Sequence, residues 1–121
     1  MKTKAAIHVG TGEPLVVDEI DVPAPQYGEV IVKLTATGVC HSQLHQIADP
    51  SFPTPAILGH EATGVVTHIG PGVTGLTEGD QAIVTWVLKD PIGNVTLSDP
   101  RLHPEPRMTY KGEKLEVLAQ G

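Results

Sequence analysis

The sequence predicts a mainly β domain with one or two short helices, and three observations carry that expectation. Thirteen glycines and eleven prolines interrupt the apolar stretches without a collagen-like period, so they mark turns. Hydrophobic residues make up 40% of the chain but aromatics only 3%, which leaves the core to Val, Ile, Leu and Ala. Between Glu29 and Ala36, Val30, Val32 and Leu34 alternate with Glu29, Ile31, Lys33 and Thr35, the period of a strand with one apolar and one mixed face. At 121 residues the chain fits a single domain, 1–121, with a modest core.

Taken in order, Lys4 to Val9 reads as a first strand, ended by Gly10-Thr11-Gly12, and Leu15 to Ile20 as a second, closed by Pro23 and Pro25. Their short connection predicts an antiparallel pair. After the strand Glu29 to Ala36, the segment Cys40 to Ala48 is the best helix candidate, poor in β-branched residues and set between Gly38 and Pro50. A helix there puts Ser42 and His45, three residues apart, on one face. Asp49 to Pro55 carries three prolines and is read as an extended loop. Thr63 to Ile69 reads as a strand broken by Gly70-Pro71-Gly72, and a Gly79-Asp80 turn leads into the apolar strand Ala82 to Leu88. Lys89 to Arg107 is polar, Pro-rich and aperiodic, hence a long loop; Lys114 to Leu118 is a last short strand.

The net charge of −6, from 14 acidic and 8 basic residues, argues against nucleic acid as a partner, because neutralising phosphates needs clustered Lys and Arg. A single cysteine forms no internal disulfide and asks for no oxidising compartment. No long apolar run follows the basic N-terminal residues, and none in the sequence approaches the roughly 20 residues of a membrane span. The expectation is a soluble cytoplasmic protein with no membrane partner, in which the sequon Asn94-Val95-Thr96 is incidental.

Gly70-Pro71-Gly72-Val73-Thr74-Gly75 satisfies G-x-G-x-x-G, with Asp90 about twenty residues on. A dinucleotide site needs a helix starting at those glycines, whose N-terminus receives the pyrophosphate. Gly75, Gly79 and the strand that follows leave no room for one, so the motif is read as a turn between strands.

Four potential metal donors, Cys40, His45, His60 and Glu61, fall within a short stretch. Thiolate, imidazole and carboxylate are the groups that bind zinc. The spacing is not that of a zinc finger; a site with few protein ligands and an open position suits catalysis. Residue type alone leaves the alternative open, since a lone cysteine is commonly an inert buried residue and histidines such as His8, His68 and His103 are commonly surface or core residues.

The order of these residues settles the matter further. Gly38-Val39-Cys40-His41-Ser42-x-x-His45, then Leu58-Gly59-His60-Glu61-Ala62-x-Gly64-Val65-Val66, then Gly70-x-Gly72-Val73-x-x-Leu76-x-x-Gly79-Asp80, resembles the zinc-dependent alcohol dehydrogenases of the medium-chain dehydrogenase/reductase superfamily, over residues 2 to about 88. The resemblance implies a GroES-like partly open β-barrel. It implies Cys40 and His60 as catalytic zinc ligands, with Glu61 behind the metal as an occasional ligand. Ser42 would hydrogen-bond the zinc-bound alcohol, and His45 would end a proton relay running from Ser42 through the cofactor ribose. His41 would lie near the cofactor pyrophosphate. The reaction implied is interconversion of alcohols with aldehydes or ketones by hydride transfer to or from NAD or NADP, the zinc acting as a Lewis acid. A serine hydroxyl both donates and accepts, and imidazole titrates near neutrality, as a relay requires.

Two departures bound that expectation. No cysteine follows Cys40, so the four-cysteine structural zinc lobe of many relatives is not formed. The family's third zinc ligand, the closing strands and the cofactor-binding Rossmann domain lie beyond Gly121, so the barrel reads as incomplete at its C-terminus and the chain as an N-terminal portion, inactive alone. An uncovered sheet edge invites pairing with another copy, and the parent enzyme is expected to be a homo-oligomer. The alternatives are a stand-alone non-catalytic GroES-like binding or assembly module and a zinc-free reductase; keeping Cys40, His60, Glu61, Ser42 and His45 together speaks against the latter.

Overall fold

The computed structural model describes residues 1–85 and 107–117. Among them are nine strands and one short helix, in two compact units. The first unit comprises Met1–Pro23, Val39–Gly59 and the described part of Pro106–Ala119. Its six-stranded sheet is built on β1 (Lys2–His8) and β2 (Val16–Asp21), antiparallel as expected, with Lys2 opposite Asp21 and Ile7 opposite Val16. Four two-residue strands complete it: β4 (Ala56–Ile57), β7 (Thr109–Tyr110), β8 (Glu113–Lys114) and β9 (Glu116–Val117), in the order β8-β7-β2-β1-β4-β9. Only the β4–β9 pair, Ala56 beside Glu116, is parallel.

Because alternate residues of a strand share a face, Ala5 and Ile7 of β1 and Ile20 of β2, with Val22 just beyond it, point to one side, where Tyr110 and Leu115 meet them. Ile7 and Leu115 are wholly buried. Val17, on the other face, is 72% exposed. Tyr110 buries its ring and sends its hydroxyl outward, where it donates to Asp18 Oδ2 at 2.9 Å.

Asp18 also accepts the Glu19 backbone N–H at 2.8 Å, and chiefly for that reason, with the Tyr110 hydroxyl second, its carboxyl is held below the ordinary carboxylate value. A depressed value in the folded state stabilises the fold above the unfolded value of about 4, and the effect is lost as pH falls through the folded one. Acid-unfolding curves of Asp18→Asn and the parent are therefore expected to differ at neutral pH and to converge in acid. Curves that stay equally separated throughout would remove Asp18 from this linkage.

The described part of the second unit is Ala24–Gly38 and residues 60–85. Its antiparallel sheet has β5 (Glu61–Ile69) between β3 (Val30–Thr37) and β6 (Gln81–Thr85). Val66, in the middle of β5, is 1% exposed. The predicted apolar face of β3 is not continuous: Leu34 is 55% exposed. The β3–β5 register shifts between Ile31 and Val32, where β5 carries the extra residue Thr67, and again between Leu34 and Ala36, where β3 carries Thr35. Gly70–Asp80 contains no helix, so the G-x-G-x-x-G stretch is the inter-strand loop it was read as. Asp80 closes that loop by accepting the Thr77 N–H on Oδ2 and the Val66 N–H on its carbonyl.

Other boundaries moved. β1 begins at Lys2 and β5 at Glu61, and β4 was not anticipated. The strand expected over 114–118 is divided into β8 and β9 by Leu115, which turns inward to the core, and β7 and β8 form a hairpin across Lys111-Gly112. Trp86 to Leu88, most of the loop Lys89 to Arg107, and Leu118 lie outside the described residues. No helix among the described residues is long and apolar enough to cross a membrane.

Candidate functional site

In the first unit the candidate residues are arranged by the helix α1 (His41–Ala48). Cys40 is its N-cap, half-buried and extended (φ −87°, ψ 144°), which puts the thiol at the helix mouth rather than inside it. A helix start leaves backbone N–H groups unsatisfied. Here the Cys40 N–H donates to Gln43 Oε1 at 2.8 Å, while the Gln43 N–H donates to the Cys40 carbonyl at 3.1 Å. The helix stops where Asp49 turns extended ahead of Pro50, as a pre-proline residue does. Asp49 Oδ1 takes both the Ser51 hydroxyl and N–H, and that pair of bonds, the hydroxyl first, holds its carboxyl below the ordinary range. The Phe52 N–H donates to the Asp49 carbonyl, so the segment after α1 opens with a turn instead of running extended throughout.

Ser42 Oγ is buried without a hydrogen-bond partner, and so is Gln46 Oε1 one turn later. His41 and His45 are both exposed, their rings edge-on at 84° with centroids 5.0 Å apart. Four-residue spacing thus pairs His45 with His41, alongside the three-residue spacing from Ser42 read in the sequence. Gly59 ends this part of the unit at φ +119°, where an L side chain is strained. A Cβ there would also lie 2.8 Å from Gln43 Nε2.

In the second unit His60 directly precedes β5 and Glu61 opens it. The His60 side chain is mostly buried and that of Glu61 half exposed, with Nε2 and Oε1 4.0 Å apart. The Glu61 carbonyl accepts the Gly38 N–H at 2.8 Å and the Thr37 hydroxyl at 2.9 Å, fastening the end of β3 to the start of β5. A Cβ at Gly38 would run into Glu61 Oε2, so glycine is what makes room for the carboxylate. An open cleft of about 410 Å³ is lined here by Gly38, His60 and Glu61, together with residues of β6 such as Ile83 and Val84.

Sulfur, nitrogen and oxygen donors are therefore each presented from the end of an ordered element: Cys40 at a helix cap, His60 and Glu61 at a strand start. His8, by contrast, is wholly buried with neither ring nitrogen bonded and Phe52 6.2 Å away, and His68 is exposed on β5 beside Thr67. His103 lies outside the described residues. Gln43 escaped the sequence reading. Its signal was a residue three positions after a helix cap, the capping-box spacing, written with cysteine where serine or threonine is the usual first member.

A sequence model of the Alcohol dehydrogenase GroES-like domain matches residues 26–101, more than half of the chain. Among curated proteins, the chain is 47% identical over 85 residues to an alcohol dehydrogenase class-3 of Cereibacter sphaeroides, covering 69% of this chain and 23% of that protein. It is 42% identical over 88 residues to an NDMA-dependent alcohol dehydrogenase of Amycolatopsis methanolica, covering 72% and 24%. Among solved structures, the benzyl alcohol dehydrogenase of Acinetobacter calcoaceticus superposes with a TM-score of 0.64 at 38% identity, over 67% of this chain and 23% of that one. The chain spans about a quarter of the length of these relatives. A mainly β architecture, the Cys40 and His60 segments in order, and these matches together place the chain in the alcohol dehydrogenase GroES-like domain family.

Proposed function

We propose that this chain supplies the zinc-ligand and proton-relay segments of an alcohol dehydrogenase that interconverts small alcohols with aldehydes or ketones using NAD or NADP. Cys40 and His60 would hold the zinc, with Glu61 as an exchangeable third donor. The observation that carries this reading is the Ser42 hydroxyl, buried and unpartnered two residues after the only cysteine. A buried hydroxyl without a partner costs stability, roughly 1–3 kcal/mol, and is explained by a ligand that supplies the missing bond.

The donor set fits zinc: a thiol, an imidazole and a carboxylate, with the carboxylate lying in the space that Gly38 leaves open. Zinc bound there supplies Lewis acidity that eases removal of the proton from an alcohol. Cys40 gives up its own proton to bind. Ser42 accepts a hydrogen bond from the alcohol and passes the proton outward, since its hydroxyl both donates and accepts. His45, exposed at the rim of α1, returns that proton to solvent, and His41 beside it offers a ring N–H to an anionic cofactor group. A soluble, cytoplasmic, homo-oligomeric parent enzyme belongs to the same proposal.

Because the chain has one cysteine, alkylation reads a single site. Zinc is expected to slow modification of Cys40 by iodoacetamide at concentrations that reflect weak binding by these residues. A rate unchanged by zinc would overturn the ligand assignment.

A further inference from the structure

We propose that Gln43 is a positioning residue of the metal site, tying the Cys40 backbone to Gly59, the residue before His60. This rests on the zinc reading above and names what holds the Cys40 backbone against the residue that precedes His60. Two contacts made by opposite ends of one amide carry it. Oε1 accepts the Cys40 N–H at 2.8 Å, and because a backbone N–H can meet only the oxygen, the amide orientation is fixed by chemistry. Nε2 then faces Gly59, close enough that a Cβ there would stand 2.8 Å away.

The glutamine is the third residue of α1, so helical geometry aims its side chain back over the N-terminus, toward both partners. Cys40 cannot swing its N–H free without breaking a bond to a half-buried acceptor. Gly59, at φ +119° and without a Cβ, leaves room for Nε2 beside its backbone. The side chain thus lies between the Cys40 backbone and Gly59, although it carries no donor suited to zinc itself. A hydrogen-bonded support of this kind typically changes metal affinity by roughly 10–100-fold when lost.

Gln43→Met keeps the length and bulk of the side chain and removes the acceptor, whereas Gln43→Glu keeps an acceptor oxygen. Two readouts on the 121-residue chain test the idea: hydrogen exchange of the Cys40 amide without metal, and zinc affinity by competition with a chromophoric chelator. The expected result is faster Cys40 exchange and roughly 10–100-fold weaker zinc binding in Gln43→Met, with exchange protection restored in Gln43→Glu. Unchanged exchange in Gln43→Met would show that the clamp does not hold Cys40 and overturn the inference. Faster exchange with unchanged zinc affinity would also overturn it, leaving Gln43 a helix cap only. If the parent chain binds no zinc while Cys40 exchange still depends on Gln43, the zinc reading fails and the clamp stands as a local structure, which overturns its positioning role.

Discussion

Cys40→Ser is expected to abolish zinc binding while leaving the fold intact. Serine is a better N-cap than cysteine, so α1 keeps or gains stability at the one position where the substitution acts on structure. Its hydroxyl, unlike a thiol, does not become an anionic ligand near neutral pH, and no second cysteine exists to take over. Affinity should fall by more than the roughly 10–100-fold that loss of a supporting hydrogen bond costs. Zinc competition titrations measure the loss, and thermal unfolding without metal checks the fold. Zinc binding within a few-fold of the parent would remove Cys40 from the ligand set, and with it the dehydrogenase reading.

Leu115→Ala is expected to destabilise the first unit strongly. Leu115 is wholly buried and packs in one cluster with Ile7, Ile20 and Tyr110. Removing three carbons from such a site costs about 2–5 kcal/mol, a large share of the roughly 5–15 kcal/mol that holds a domain folded. Val17→Ala, on the exposed face of β2, should stay within about 0.5 kcal/mol. Urea denaturation of the three proteins ranks them, and equal midpoints for Leu115→Ala and the parent would mean that residues 107–117 do not belong to the cooperative core.

What the sequence revealed and what it hid follow from the physics of each element. Antiparallel β1 and β2 and the helix after Cys40 were legible because their apolar spacing and bounding Gly and Pro residues act locally. The two-residue β4 is too short to show any period. The β7–β8 hairpin was hidden because its turn is Lys111-Gly112, with the lysine at φ 51°, where an asparagine or aspartate would have announced it. On β3 the alternation was real in the text, yet Leu34 stands in solvent, because period alone does not say whether another element covers the face. At the candidate site, residue type and order singled out Cys40, Ser42, His45, His60 and Glu61 as candidates, because donor chemistry is written in single letters. Gln43 was missed since what it does depends on where its amide points.

The parallel pair β4–β9 has a kinetic consequence. Ala56 waits for Glu116, sixty residues later in the chain, and Leu115 arrives with it. During synthesis the β1–β2 hairpin and the β1–β4 contact can form early, yet the core stays open on one side until residues 107–117 emerge. Non-local closure of this kind slows folding, because the loop entropy is lost before the contacts form. Nascent chains arrested before residue 107 should therefore be sensitive to protease in the first unit and become resistant only once Leu115 has left the ribosome.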